Sequence, residues 1–331
     1  MPLDPRVKRF LDVLAAGNPP NALETSVAER RIKLGELMKL SGPEVAVAHI
    51  EERTVPGAGE ALRVRVYTPQ GAADEPLPGL VYFHGGGLVA GSLDTHDGIA
   101  RALARAGGCR VVSVDYPLAP EHPFPAALEA ATAAVRHLAA HAADFGIDAA
   151  RLGICGDSAG ATLVAALCQG FAGAGEPPLA VQLLICPILD YSALSASRRE
   201  FASGYLVDQA TLDHDLKHYA PAGTNPADPR ISPLRAAQFA DLPPTLIHTA
   251  EFDPLRDEGR EYFTRLTHAG TAVSYTCHAG MIHLFYGLGG VIPHARTAFE
   301  QMGTELRAAL QAAGARRSAA AGTPGRGSGN R

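Results

Sequence analysis

Leu152-Gly153-Ile154-Cys155-Gly156-Asp157-Ser158-Ala159-Gly160 is a short apolar run ending in a serine bracketed by glycines. Beyond it, Leu163, Val164, Leu167, Cys168 and Phe171 fall at helical spacing on one face. The stretch therefore reads as strand, sharp turn and helix. The tip residue of such an elbow is forced into a strained backbone conformation. Only small neighbours fit beside it, hence Gly156 and Gly160. The turn exposes the serine oxygen and sets the Ala159 N–H at a helix N-terminus, where an oxyanion is stabilised.

Upstream, Tyr82-Phe83-His84-Gly85-Gly86-Gly87 closes another apolar run. Three consecutive glycines remove the side chains that would keep an acyl group away from the backbone. The N–H groups of Gly85 and Gly86 then face the developing oxyanion, each such donor contributing ~10²–10³ in kcat. A phosphate-binding loop is the competing reading. It would need G-x-x-x-x-G-K-[ST], or G-x-G-x-x-G with a downstream acidic ribose ligand, and the chain offers neither.

A serine nucleophile needs a base, and the base needs an orienting carboxylate. Thr245 to Thr249 reads as a strand, followed by Glu251-Phe252-Asp253-Pro254-Leu255-Arg256-Asp257. Asp253 lies in the turn before Pro254, clear of a helix beginning near Leu255. Asp257 and Glu258 fall in that helix's first turns, where acids offset the dipole. Asp253 is therefore favoured, with Glu251 and Asp257 structural. Two histidines follow the next strand: His278 close to its end, and His283 in the apolar turn Met281-Ile282-His283-Leu284-Phe285. The order Ser, Asp, His, each after a strand, is the α/β-hydrolase order.

Further outward, continuous apolar runs alternate with helical patterns. The runs are Leu80 to Phe83, Arg110 to Val114, Leu152 to Cys155, Val181 to Ile185, Thr245 to His248 and Val273 to Tyr275. The helical patterns include Ala127 to His141 and a last helix carrying Phe299, Met302, Leu306 and Leu310. Runs buried on both faces and separated by helices predict a parallel sheet in an α/β fold. Before them come one or two short helices in residues 1 to about 40. Two β-like segments follow, Val45–Ile50 and a strictly alternating Leu62–Tyr67 that reads as a half-buried strand at a sheet edge. Residues 191–234 are far longer than a usual connection and belong on the substrate side. The Ala/Gly/Arg/Ser-rich stretch 314–331 has no apolar periodicity and predicts disorder.

The chain has 331 residues, 47% of them hydrophobic and 19% charged, with net charge −5. That is a globular composition with no concentrated basic face for nucleic acid. Five cysteines, Cys109, Cys155, Cys168, Cys186 and Cys277, show no metal-ligand spacing, and most sit in apolar runs. They predict buried free thiols in a reducing compartment. Residues 1–17 are interrupted by Asp4, Lys8, Arg9 and Asp12, a poor signal peptide, and no run is long enough to span a membrane. The expectation is a cytoplasmic protein using no metal or cofactor.

These motifs, with Gly91-Ser92-Leu93-Asp94-Thr95-His96-Asp97, Asp115-Tyr116, Leu118 to Ala126 and Asp253 to Gly259, resemble the bacterial hormone-sensitive-lipase-like esterases of the α/β-hydrolase fold. The resemblance spans roughly residues 45 to 310. It implies an eight-stranded, mostly parallel sheet, with a catalytic domain over 45–190 and 235–313. It also implies a helical cap from residues 1–44 and the 191–234 insertion. It carries the triad onto Ser158, Asp253 and His283 and the oxyanion hole onto Gly85, Gly86 and Ala159, with His84, Gly87 and Asp157 in support. The function so implied is hydrolysis of short-to-medium acyl esters, with a possible homodimer through the edge strand near 272–277. An amidase, lactonase or deacetylase would share the triad. A non-catalytic relative would lack the histidine. Three positions depart from the family pattern: Ala161 for glycine, Pro117 for arginine, and Leu284 for glycine after the histidine. A leucine there is expected to narrow the acyl pocket.

Overall fold

The computed structural model describes residues 2–17, 21–72 and 75–321. Its strands are β1 (His49–Pro56), β2 (Ala61–Thr68), β3 (Leu77–Phe83), β4 (Arg110–Val114), β5 (Ile147–Asp157), β6 (Gln182–Ile185), β7 (Thr245–Phe252) and β8 (Val273–Ile282). They form one sheet in the order β1-β2-β4-β3-β5-β6-β7-β8. β2 runs antiparallel to β1 and to β4, and every other pairing is parallel. The expected eight-stranded, mostly parallel α/β-hydrolase sheet is the one observed.

The helices are α1 (Pro5–Ala16), α2 (Val27–Met38), α3 (Asp97–Gly107), α4 (Ala126–Ala140), α5 (Ala159–Phe171), α6 (Ala196–Glu200), α7 (Gln209–Tyr219), α8 (Arg256–His268) and α9 (His294–Ala321). α3 and α9 pack on each other and on the sheet, and α4 and α5 form a second such pair. Every residue of α5 from Ala159 to Cys168 is buried, as a helix that is apolar all round requires. Among the described residues no helix is long and apolar enough to cross a membrane.

Four expectations are corrected. The first strand begins at His49, not Val45, because its extent is set by its pairing with β2, from His49↔Thr68 to Pro56↔Ala61. The charged β1 is consequently the sheet edge, and the alternating β2 lies inside it. α9 continues through residues 314–321, where disorder was expected. Alanine and arginine are strong helix formers, so the helix outruns its apolar face. Residues 322–331 lie outside the described residues. Finally, Cys277 is exposed on β8, while Cys109, Cys155, Cys168 and Cys186 are buried, and all five are free.

The N-terminal helices and the 191–234 segment meet over the glycine loop. The α2 N-terminus is fixed by a capping box between Ser26 and Glu29. Arg31 on α2 donates to Val89 O at 2.8 Å and Ala119 O at 3.1 Å and pairs with Glu121. Arg30 reaches Asp215 of α7 at 3.2 Å, and His214 Nε2 lies 3.0 Å from Thr25 O. A Cβ on Gly87 would run into the Asp215 carboxylate, so this acid lies directly against the loop.

Candidate active site

β5 ends at Asp157, α5 begins at Ala159, and Ser158 between them has φ +52° and ψ −121°. A non-glycine residue at positive φ is strained and must be held in place. Ser158 N donates to Ile185 O at 2.8 Å, and Ser158 O accepts from Ala161 N at 3.1 Å and Ile188 N at 3.3 Å. The two glycines are sterically required. A Cβ on Gly156 would meet the Gly160 backbone, and one on Gly160 would meet the Phe83 and His84 carbonyls. Gly160→Ala is expected to destabilise the fold by about 3 kcal/mol or more through this overpacking. It should also displace the glycine loop, so the urea midpoint drops. An unchanged urea midpoint would contradict the steric account.

His283 Nε2 stands 3.0 Å from Ser158 Oγ, and His283 Nδ1 stands 2.8 Å from Asp253 Oδ2. Asp253 follows β7, and its other oxygen accepts the Leu255 N–H at 2.9 Å. Both side chains are buried, and Ser158 is 8% exposed. His283 follows β8, and the next residue, Leu284, has φ +62° and is buried. A left-handed backbone there favours glycine. The Leu284 side chain lies instead against Gly287, which Met38 of α2 also approaches.

The alternative residues go elsewhere. His278 sits inside β8 between His248 and His294, 3.1 Å from each. Glu251 accepts the Gly280 N–H at 2.7 Å. Asp257 accepts the Ser197 N–H at 2.8 Å. Glu258 pairs with buried Arg198 and accepts the Leu189 and Asp190 N–H groups. Burial raises its carboxyl pKa, against the pull of Arg198.

The glycine loop differs from expectation in one donor. The Gly85 N–H points at Asp157 Oδ1, at 2.9 Å, and so is already used. Asp157 also accepts from Tyr82 Oη at 2.5 Å and Tyr286 Oη at 3.0 Å. Burial pushes this carboxyl pKa up, and the two tyrosines and Gly85 oppose the shift by hydrogen bonding to the charged form. The N–H groups of Gly86, Gly87 and Ala159 have no protein acceptor. Asp157 thus ties the glycine loop to the elbow and leaves these three donors open.

Behind the loop, His84 is fully buried, with Nδ1 2.8 Å from Gly85 O, and stacks on His96 and Tyr116. Tyr116 Oη donates to His84 O at 2.6 Å. Burial depresses the His84 pKa to about 4 and the His96 pKa to about 3. Tyr82, Tyr286 and His96 are not marked by any sequence motif of the elbow. Tyr82 lies in β3 two residues before His84, His96 falls in the Gly91–Asp97 stretch, and Tyr286 lies three after His283, so nearness in the chain to the motifs is their cue.

The family model for the alpha/beta hydrolase fold matches residues 80–287. The Mycobacterium tuberculosis carboxylic ester hydrolase LipN is 40% identical over 255 residues, 75% of this chain and 67% of LipN. Carboxylesterase NlhH from the same organism is 38% identical over 315 residues, 94% of this chain and 97% of its own length. Among solved structures, the ester hydrolase EH1AB1 from the metagenome of Lake Arreo, complexed with a bipyridine phosphonate derivative, superposes with a TM-score of 0.89. It shares 40% identity, with 92% of this chain and 98% of that one covered.

Proposed function

The chain belongs to the α/β-hydrolase family, in its hormone-sensitive-lipase-like branch, and on that premise we propose that it hydrolyses carboxylic esters through an acyl-enzyme on Ser158. The observation carrying this reading is the continuous hydrogen-bond chain Ser158–His283–Asp253, at 3.0 and 2.8 Å, beside unoccupied backbone donors. His283 Nε2 takes the Ser158 proton as Oγ attacks the ester carbonyl. Asp253 holds the Nδ1–H and stabilises the imidazolium. The oxyanion is received by Gly86 and Ala159, with Gly87 replacing Gly85 as the third donor. His283 then returns its proton to the leaving alcohol and activates water for deacylation. Every step uses a group of this chain.

The α1–α2 segment and residues 191–234 act as the cap in this reading. Short-to-medium acyl chains are favoured by the nearly enclosed serine. A cytoplasmic location is favoured by the four buried free thiols. A homodimer would use the open edge of β8, and sedimentation of the purified chain distinguishes it from a monomer.

The test is hydrolysis of p-nitrophenyl esters from acetate to palmitate. The rate should peak at short chains and collapse before palmitate. A folded protein that turns over no chain length would refute the ester reading and leave amides, lactones or mere binding.

A further inference from the structure

We propose that Cys186, His283 and Asp253 form a binding site for one thiophilic divalent cation, Zn²⁺ or Cd²⁺, and that its occupancy switches the enzyme off. The loss of activity rests on the triad reading above; the binding does not.

One donor atom from each of these residues lies within 4.8 Å of the other two, and among the described residues no other grouping of this kind occurs. Cys186 is the residue after β6. It is 1% exposed, with φ +44° and its N–H bonded to His248 O at 2.7 Å. That backbone turn brings the thiol within 4.8 Å of the Asp253 and His283 donor atoms. The imidazole nitrogen on this side is Nδ1, since Nε2 faces Ser158. Thiolate, imidazole and carboxylate are a donor set that suits zinc. Metal–ligand bonds of about 2.0–2.3 Å place tetrahedral ligands roughly 3.3–3.6 Å apart. His283 Nδ1 and Asp253 Oδ2, 2.8 Å apart, therefore spread by roughly 0.5–0.8 Å to admit Zn²⁺, and by more for the larger Cd²⁺. The fourth position is left to water, since Ser158 Oγ lies beyond Nε2 on the far side of the ring.

The protons balance simply. In the working triad, Nδ1 carries the proton and Nε2 is the base. A cation on Nδ1 requires that proton to move to Nε2, so the imidazole now donates toward Ser158 and can no longer accept from it. The thiol releases its own proton to solvent as the metal–sulfur bond forms. One thiolate and one carboxylate then neutralise the cation, which makes its burial tolerable. Metal binding thus exchanges the thiol proton for the metal–sulfur bond.

The experiment titrates Cd²⁺ into the whole protein. It follows the thiolate-to-metal charge-transfer band and, in parallel, p-nitrophenyl acetate hydrolysis. The expected result is one equivalent bound, a shared midpoint for band and inhibition, and reversal by a chelator. Zn²⁺ should give the same inhibition. Cys186→Ala should lose the band and need at least roughly 100-fold more cation for half-inhibition, measured against its own uninhibited rate. Should that variant fail to fold, Cys186→Ser serves, because a hydroxyl is a poor ligand for soft ions. Ser158→Ala should keep the band at the same midpoint, so binding is read even where no esterase activity exists. Cys277→Ala should behave as the parent. A band that survives loss of Cys186, a band lost with Cys277, or inhibition with no band would each overturn the proposal, the last pointing to the His248–His278–His294 chain.

Discussion

Ser158→Ala should lower kcat on p-nitrophenyl acetate by about 10⁶-fold, the effect of removing a serine nucleophile from an intact triad in a protease. Alanine keeps the Cβ, so it occupies the elbow with the steric demand serine already has. The Ser158 hydroxyl bonds only to His283, and Ser158's backbone bonds to Ile185, Ala161 and Ile188 do not involve the side chain. The variant should therefore fold with a stability within about 0.5 kcal/mol of the parent. Ester affinity should change little, since the cleft and the free N–H groups of Gly86, Gly87 and Ala159 remain. Those donors sustain a small residual rate above water. Single-turnover kinetics and a fluorophosphonate label separate the cases: the parent labels at Ser158 and the variant does not. A variant retaining more than a tenth of parental kcat would mean that another group attacks the ester.

The residues legible from sequence were those whose chemistry is local. Gly156 and Gly160 are required by the turn they form, so the elbow declares itself within five residues. Asp253 and His283 each follow a strand of a parallel sheet, so chain order alone brings them to one sheet end. Gly85 is the counterexample. Its N–H is aimed at a carboxylate 72 residues away, and nothing near Gly85 in the chain announces that partner. Cys186 is hidden for a related reason. It follows β6, which lies between β5 and β7, so the sheet order places its thiol beside Asp253 without any spacing rule. Element ends failed where pairing or propensity overrode apolar patterning, as at His49 and beyond Ala313.

Acidification should destabilise this fold steeply, beginning near pH 6.5. His84, His96 and His278 are all nearly or fully buried, and their pKa values fall to about 4, 3 and 3. Burial is the main cause for each, with neighbouring imidazoles adding to it for His84 and His278. Unfolding returns each to the ordinary value of about 6.5, so between that pH and the folded values the unfolded chain binds the extra protons. The neutral form is what the fold accommodates. Stability is thus intact above pH 6.5 and lost as pH falls. At pH 5 each histidine has given up about 2 kcal/mol, and the three together about 6 kcal/mol, a large part of a typical 5–15 kcal/mol total. Asp157 and Glu258 act in the opposite sense, because their raised carboxyl pKa values make protonation easier in the folded chain than in the unfolded one. Urea midpoints measured from pH 8 to 4.5 should be flat at the alkaline end. Below pH 6 the unfolding free energy should fall by up to about 4 kcal/mol per pH unit, the slope of three protons. His278→Gln should remove one proton from that slope without touching Ser158, His283 or Asp253, from which His278 is separate. A free energy unchanged between pH 7 and 5 would mean that these imidazoles are protonated inside the fold and that charged groups compensate their burial.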